Sequence, residues 1–180
     1  MRTTPIGIVM LNDEREHVWR ANNEECMEVL HRWADLIRKN VRNIDGSAPE
    51  VVTGSKIITS VRVAQEVGEE LVRANCKQII ICYYVWNFPF FVWPFINTVG
   101  RDKPILCLSN NSGKFPGNVG LLATDGALRQ VGVRTHRIVG DMDDPEVQKK
   151  VFDWIRAAQA YTTIRNEVYG MYGGHSMGME

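Results

Sequence analysis

Short apolar runs alternate with longer stretches of helical period along most of the chain. Residues 6–11, Ile-Gly-Ile-Val-Met-Leu, form a continuous apolar run, the pattern of a strand buried on both faces of a sheet. Residues 18–40 then place Trp19, Cys26, Leu30, Trp33 and Ile37 on one helical stripe. Residues 50–53 predict a weaker, edge-like strand, and residues 60–75 a second helix through Val63, Val67 and Leu71. The strongest strand pattern is residues 78–84, followed by an aromatic stretch to Gly100 that predicts a loop leading into a short helix. Residues 104–108 and 135–139 predict the fourth and fifth strands, with a helix over 117–131 between them. The last helix is well marked. Asp144-Pro145-Glu146 supplies a capping carboxylate, a proline in the first turn and an acid near the helix N-terminus. Val147, Val151, Trp154, Ile155, Ala158 and Tyr161 then share one face. Residues 168–172 predict a sixth strand.

Five β-α units in succession imply an α/β fold, a doubly wound parallel sheet with helices on both faces. Right-handed crossovers leave few topologies, and the flavodoxin-like strand order 2-1-3-4-5 is the one expected. With no repeat and no linker, residues 1–172 read as a single domain. The glycine-rich turn Gly173-Gly174-His175-Ser176-Met177-Gly178 is of the kind that opens a helix, so residues 173–180 are expected to begin a truncated second domain.

Charge narrows the partners. Twenty-one basic and twenty-one acidic residues give a formal net charge of zero, which argues against nucleic-acid binding through bulk electrostatics. Residues 78–100 carry no charge, yet Asn87, Pro89, Pro94 and Asn97 would break or burden a membrane span, so a buried strand running into an aromatic loop is expected. The N-terminus lacks a signal-peptide core, so a cytoplasmic location is expected. Cys26, Cys76, Cys82 and Cys107 form no C-x-x-C pair and are expected to be buried free thiols.

In a doubly wound sheet, ligands bind beyond the carboxyl ends of the strands where the strand order reverses. With order 2-1-3-4-5 that place lies between the first and third strands, and it gathers Asp13, Arg15, Trp86 and Asn87. A guanidinium, a carboxylate and an indole suit a polyol: its hydroxyls take the polar bonds and an aromatic covers its apolar face. Eight of the chain's sixteen aromatic residues fall between Tyr83 and Phe95. One site cannot use eight rings, so most must pack in the core or against another subunit. The four histidines, His17, His31, His136 and His175, show no metal-ligand spacing, and no residue stands out as a catalytic base. His175 and Ser176 are adjacent on a turn, where nucleophile and base seldom meet.

At these same positions the chain resembles the L-fucose isomerase family. The resemblance rests on Pro5-Ile6-Gly7-Ile8, on Asp13-Glu14-Arg15, on the loop tryptophan Trp86, and on Lys103-Pro104-Ile105 with Gly117-Asn118-Val119-Gly120. It rests most specifically on the Gly173-Gly174-His175-Ser176-Met177-Gly178 turn. It implies the N-terminal domain of an aldose–ketose isomerase that uses a divalent metal, usually manganese, and works as a homo-hexamer. The metal ligands would lie in the enzyme's own C-terminal domains, outside this chain, and this domain alone would be inactive. Arg15 and Trp86 would bind the sugar (L-fucose, D-arabinose or a similar aldose) in the site of a neighbouring subunit, and Met177 would line the same pocket. The alternative is a stand-alone flavodoxin-like binding or receiver module. A receiver would want a fuller acid cluster after the first strand. A flavin module would want a hydroxyl-rich phosphate loop where Asn12 to Glu16 is acidic.

Overall fold

In the computed structural model five strands pair in parallel in the order β2-β1-β3-β4-β5. They are β1 (Ile6–Leu11), β2 (Val51–Thr53), β3 (Gln78–Tyr83), β4 (Ile105–Ser109) and β5 (His136–Val139). The helices are α1 (Glu16–Asn40), α2 (Val61–Arg73), α3 (Val92–Val99), α4 (Gly117–Gln130) and α5 (Pro145–Arg165). The structure describes residues 4–165 other than 44, 114 and 116, and beyond them only 167, 168, 170 and 173. The expected strand order is therefore the observed one, the flavodoxin-like α/β arrangement.

The sheet has a core on each face because its central strands alternate between two helical layers. Ile6, Ile8 and Met10 of β1 and Ile80 and Cys82 of β3 meet Cys26, Leu30, Trp33 and Ile37 of α1 and Val151 and Ile155 of α5. Val9, Leu11, Ile79, Ile81 and Tyr83 face Val67 and Leu71 of α2, Phe95 and Ile96 of α3 and Leu121 and Leu128 of α4. Each such side chain, fully buried, contributes about 1.5–3 kcal/mol. Gly7 sits where α2 comes closest: a Cβ there would lie 2.7 Å from a Leu71 methyl carbon. All four cysteines are buried and free.

The helix ends follow their sequence signals. Ser60 caps α2 by accepting the Val63 N–H at 3.3 Å. Asp144 accepts the Glu146 N–H at 2.8 Å at the start of α5. Asp125, buried in α4, pairs with Arg129 of the same helix at 2.8 Å and fastens the helix to the edge strand through Arg137 at 3.3 Å.

Two expectations need adjustment, and a third, the loop and short helix after β3, holds with a 3-10 turn added between them. The buried face of α5 is Val147, Val151, Phe152, Ile155, Ala158 and Thr162, so Tyr161 lies off it and is 51% exposed. The aromatic stretch after β3 is mostly helical: a 3-10 turn, Pro89–Phe91, runs straight into α3. The hydrophobic period explains this, since Phe91, Val92, Phe95, Ile96 and Val99 fall on the face that covers the sheet. Of the expected sixth strand, Val168 and Gly170 are in no strand, and Tyr169, Met171 and Tyr172 lie outside the described residues. The proposed boundary into a second domain falls there too. Among the described residues no helix is long and apolar enough to cross a membrane.

Candidate functional site

The carboxyl ends of β1 and β3 lie side by side, with Leu11 in register with Tyr83. The loops leaving these two strands form a mouth between them. After β1 the chain makes a tight turn in which the buried Asp13 carboxylate, 1% exposed, faces back along the backbone. Its Oδ1 accepts the Arg15 backbone N–H at 2.8 Å and Arg15 Nε–H at 2.9 Å, and its Oδ2 accepts from Arg15 Nη2 at 2.5 Å. This is a two-pronged guanidinium–carboxylate pair, the geometry that fixes an arginine most firmly. The hydrogen bonds from Arg15 hold the Asp13 carboxyl below the usual carboxylate range, against the opposing effect of burial. The Arg15 side chain remains 52% exposed, so unused N–H groups of its guanidinium point to solvent.

A second layer holds that turn in place. Asn12, fully buried, accepts the Asp13 N–H at 2.7 Å on its Oδ1. Its Nδ2 donates to Asn22 Oδ1 at 2.6 Å and to Asn23 Oδ1 at 3.1 Å on α1. Sequence reasoning passed over this network. Its signal was the pair Asn22-Asn23 inside a helix, where asparagine has low propensity and needs another reason to be. Nearby, Tyr84 O–H donates to Glu25 at 2.7 Å, and that bond, with burial, pushes the phenol up to about 12.

After β3 comes a ladder of rings. Trp86 and Phe88 stand 4.9 Å apart between centroids, and Phe88 and Phe90 stand 6.1 Å apart. The Arg15 guanidinium carbon lies 5.8 Å from the Phe88 ring centroid, close enough for cation–π attraction. Phe88 therefore connects the two expected site residues, Arg15 and Trp86, and was not itself singled out from the sequence. Trp86 and Phe88 are half-buried and Phe90 is exposed. These rings open to the surface, whereas Phe91 and Phe95 serve the core.

Asn87 is placed differently from its neighbours. It is fully buried and turned towards α4, donating to Thr124 Oγ1 at 3.4 Å and to the Phe88 carbonyl at 3.2 Å. Gly120 of α4 lies against it, so close that an added Cβ would collide with the Asn87 side-chain oxygen. The structure thus brings Asp13, Arg15 and Trp86 to one mouth and sends Asn87 underneath it. Met177 lies outside the described residues.

The mouth offers fixed hydrogen-bond donors, a wall of mutually tilted aromatic rings and a charge already neutralised within the site. That combination suits a small hydroxylated ligand. It does not suit a metal: the nearest carboxylate, Asp13, is committed to Arg15, and among the described residues no group of three or more His, Cys, Asp or Glu could hold a metal ion.

Comparison with known proteins covers nearly the whole chain. Residues 3–166 match the family model described as "L-fucose isomerase, first N-terminal domain". The chain is similar to an L-fucose isomerase of Vibrio vulnificus, at 28% identity over 94% of this chain and 30% of that protein. It is similar to an L-fucose isomerase of Bacteroides thetaiotaomicron at 29% identity, covering 97% of this chain and 30% of that protein. An L-fucose isomerase of Escherichia coli is 26% identical over the same shares. The chain thus spans about 30% of the length of the curated relatives it matches.

Proposed function

The chain belongs to the family of first N-terminal domains of L-fucose isomerase, and on that footing we propose that it supplies sugar-binding residues and subunit contacts to a metal-dependent aldose–ketose isomerase. The observation that carries the reading is the Asp13–Arg15 pair at the switch point of the sheet, with its guanidinium half-exposed beside the Trp86–Phe88 rings.

Each residue has a distinct part. Arg15 donates hydrogen bonds to ligand hydroxyls remote from the reacting carbons. Asp13 is a positioning residue: it holds the guanidinium in one orientation before the sugar arrives, which spares the entropy of fixing a long side chain on binding. Trp86 covers the apolar face of the sugar. Asn87, turned inward, sets the path of the loop that carries Trp86. The described residues do not fit a divalent metal, so no chemical step is assigned to this chain. In this reading manganese and its ligands belong to the enzyme's other domains.

The exposed rings support the second part of the proposal. Trp86, Phe88 and Phe90 leave a row of aromatic surface beside the mouth, more than one sugar can cover. Docking against another copy, in a homo-oligomer that the family resemblance makes a hexamer, would bury it.

Thermal melting and tryptophan fluorescence of the chain with L-fucose, D-arabinose and their polyols, with and without manganese, test this division. The expected outcome is a weak, metal-independent sugar response that Arg15→Ala removes. A clear stabilisation by manganese would mean that the chain carries its own metal ligands and would overturn the proposal.

A further inference from the structure

The edge of the sheet opposite the mouth has a different character. There the loop before β4, the turn before β5 and one face of α5 frame an open groove of about 570 Å³. It runs into a second hollow of about 300 Å³ that shares Asp102, Lys103, Pro104 and Arg165 with it. Arg101, Lys103, Arg134 and Arg165 line the two, joined by Lys77 in the smaller one, against a single acid, Asp102. On a chain of zero formal net charge this is a strong local excess of positive charge.

These cations are poorly neutralised. Arg165 takes Asp102, at 3.3 Å to its carboxylate and 2.8 Å to its carbonyl. Arg101 spends its guanidinium on the neutral Asn97 side chain. Lys103 donates to the Val99 carbonyl. Arg134 is exposed and has no hydrogen bond or ion pair among the described residues. Burial holds the Lys103 amine below the usual lysine range; Asp102 opposes this and Lys77 adds to it. An arriving anion would relieve that repulsion.

One side of the groove is apolar. Trp154 and Tyr161 stand two turns apart on α5, with Ala157 and Ala158 between them. Tyr161 is half-exposed, its ring 6.0 Å from the Arg165 guanidinium carbon. An inorganic anion would use the cations and leave this side bare, and an acidic peptide would not need so compact a hollow. A ligand with both a planar ring and phosphates uses all of it, since guanidiniums suit phosphate and aromatic faces stack on a base. The volume falls in the range of small-ligand sites.

We propose that this groove binds a nucleotide, with its base on Trp154 and Tyr161 and its phosphates on Arg101, Lys103 and Arg134. The site is separate from the mouth, and the proposal stands or falls independently of the sugar reading.

Isothermal titration of the chain at low salt with ATP, adenosine, pyrophosphate and a short oligoglutamate tests it. ATP is expected to bind more tightly than the other three, and more weakly as ionic strength rises. Arg134→Glu, at an exposed position unpaired among the described residues, is expected to weaken ATP binding by at least about tenfold. Tyr161→Ala is expected to weaken it by about threefold or more. The charge-matched Arg62→Glu on α2 is expected to leave it unchanged. No ATP binding overturns the proposal, as does binding that survives Arg134→Glu. Pyrophosphate or oligoglutamate binding as tightly as ATP overturns it as well, because the ring would then contribute nothing.

Discussion

The two edges of the sheet keep their charges in opposite ways. At the carboxyl edge, Arg15 is locked to a buried carboxylate by two prongs, and a fully buried asparagine braces the turn beneath it. At the other edge, several cations share one acid and Arg134 has no partner among the described residues. A guanidinium neutralised in place presents direction rather than net charge, and suits recognition of uncharged hydroxyls. A cluster left unneutralised presents a field, and suits an anion that can be drawn in from solution. The contrast shows that the same residue type, arginine, does different work according to what its neighbours have already satisfied.

The largest disturbance of the braced edge is expected from Gly120→Ala. A methyl there would run into the Asn87 side chain and come within 3.1 Å of the Asn87 backbone nitrogen. Overpacking of this kind costs about 1–3 kcal/mol, and it should also displace the loop that carries Trp86. Thermal melting reads the first effect and the fluorescence spectrum the second. An unchanged melting temperature would mean that the edge is softer than its packing implies.

Next comes the acid limb of stability. The Asp13 carboxyl is held below its ordinary value in the folded chain, so its contribution is fully present above about pH 4 and is lost as pH falls through the folded value. Arg15→Ala removes the main cause of that depression and leaves the carboxylate buried with only its backbone donor. The midpoint of acid unfolding is expected to move to higher pH, as followed by circular dichroism. A midpoint that stays in place would show that the guanidinium pair does not brace the turn.

The smallest effect is expected at the other edge. Arg134→Ala breaks no bond among the described residues, so the melting temperature should move by less than about 2 °C. A larger loss would show that Arg134 is structurally engaged, and the contrast between the edges would shrink.

Much of this was legible in the sequence, for identifiable reasons. The unbroken apolar run of β1 and the Asp144-Pro145-Glu146 start of α5 are local signals, and both elements form where they predict. Right-handed crossovers left few strand orders, the expected one is observed, and that order located Asp13, Arg15 and Trp86. The roles within the mouth were less legible. Whether Asn87 points outward or under α4 depends on Gly120, which lies far along the chain. Phe88 could not be told from the other rings of its stretch without knowing which of them the core takes. The basic groove was hidden altogether: its cations come from four separate segments, and a zero net charge averages them away.

The parallel pairing of β1 with β3 also has a kinetic side. No hairpin can bring these strands together, because a parallel pair needs a crossover, and here the crossover includes all of α1, β2 and α2. Arg15 and Trp86 are separated by more than a third of the chain. Closing so long a loop has to precede the contacts that reward it. The mouth therefore cannot mature locally during synthesis. It comes into being only when the central strands zip together, and a nascent chain that has emerged as far as α2 holds one half of a site whose other half has yet to be made.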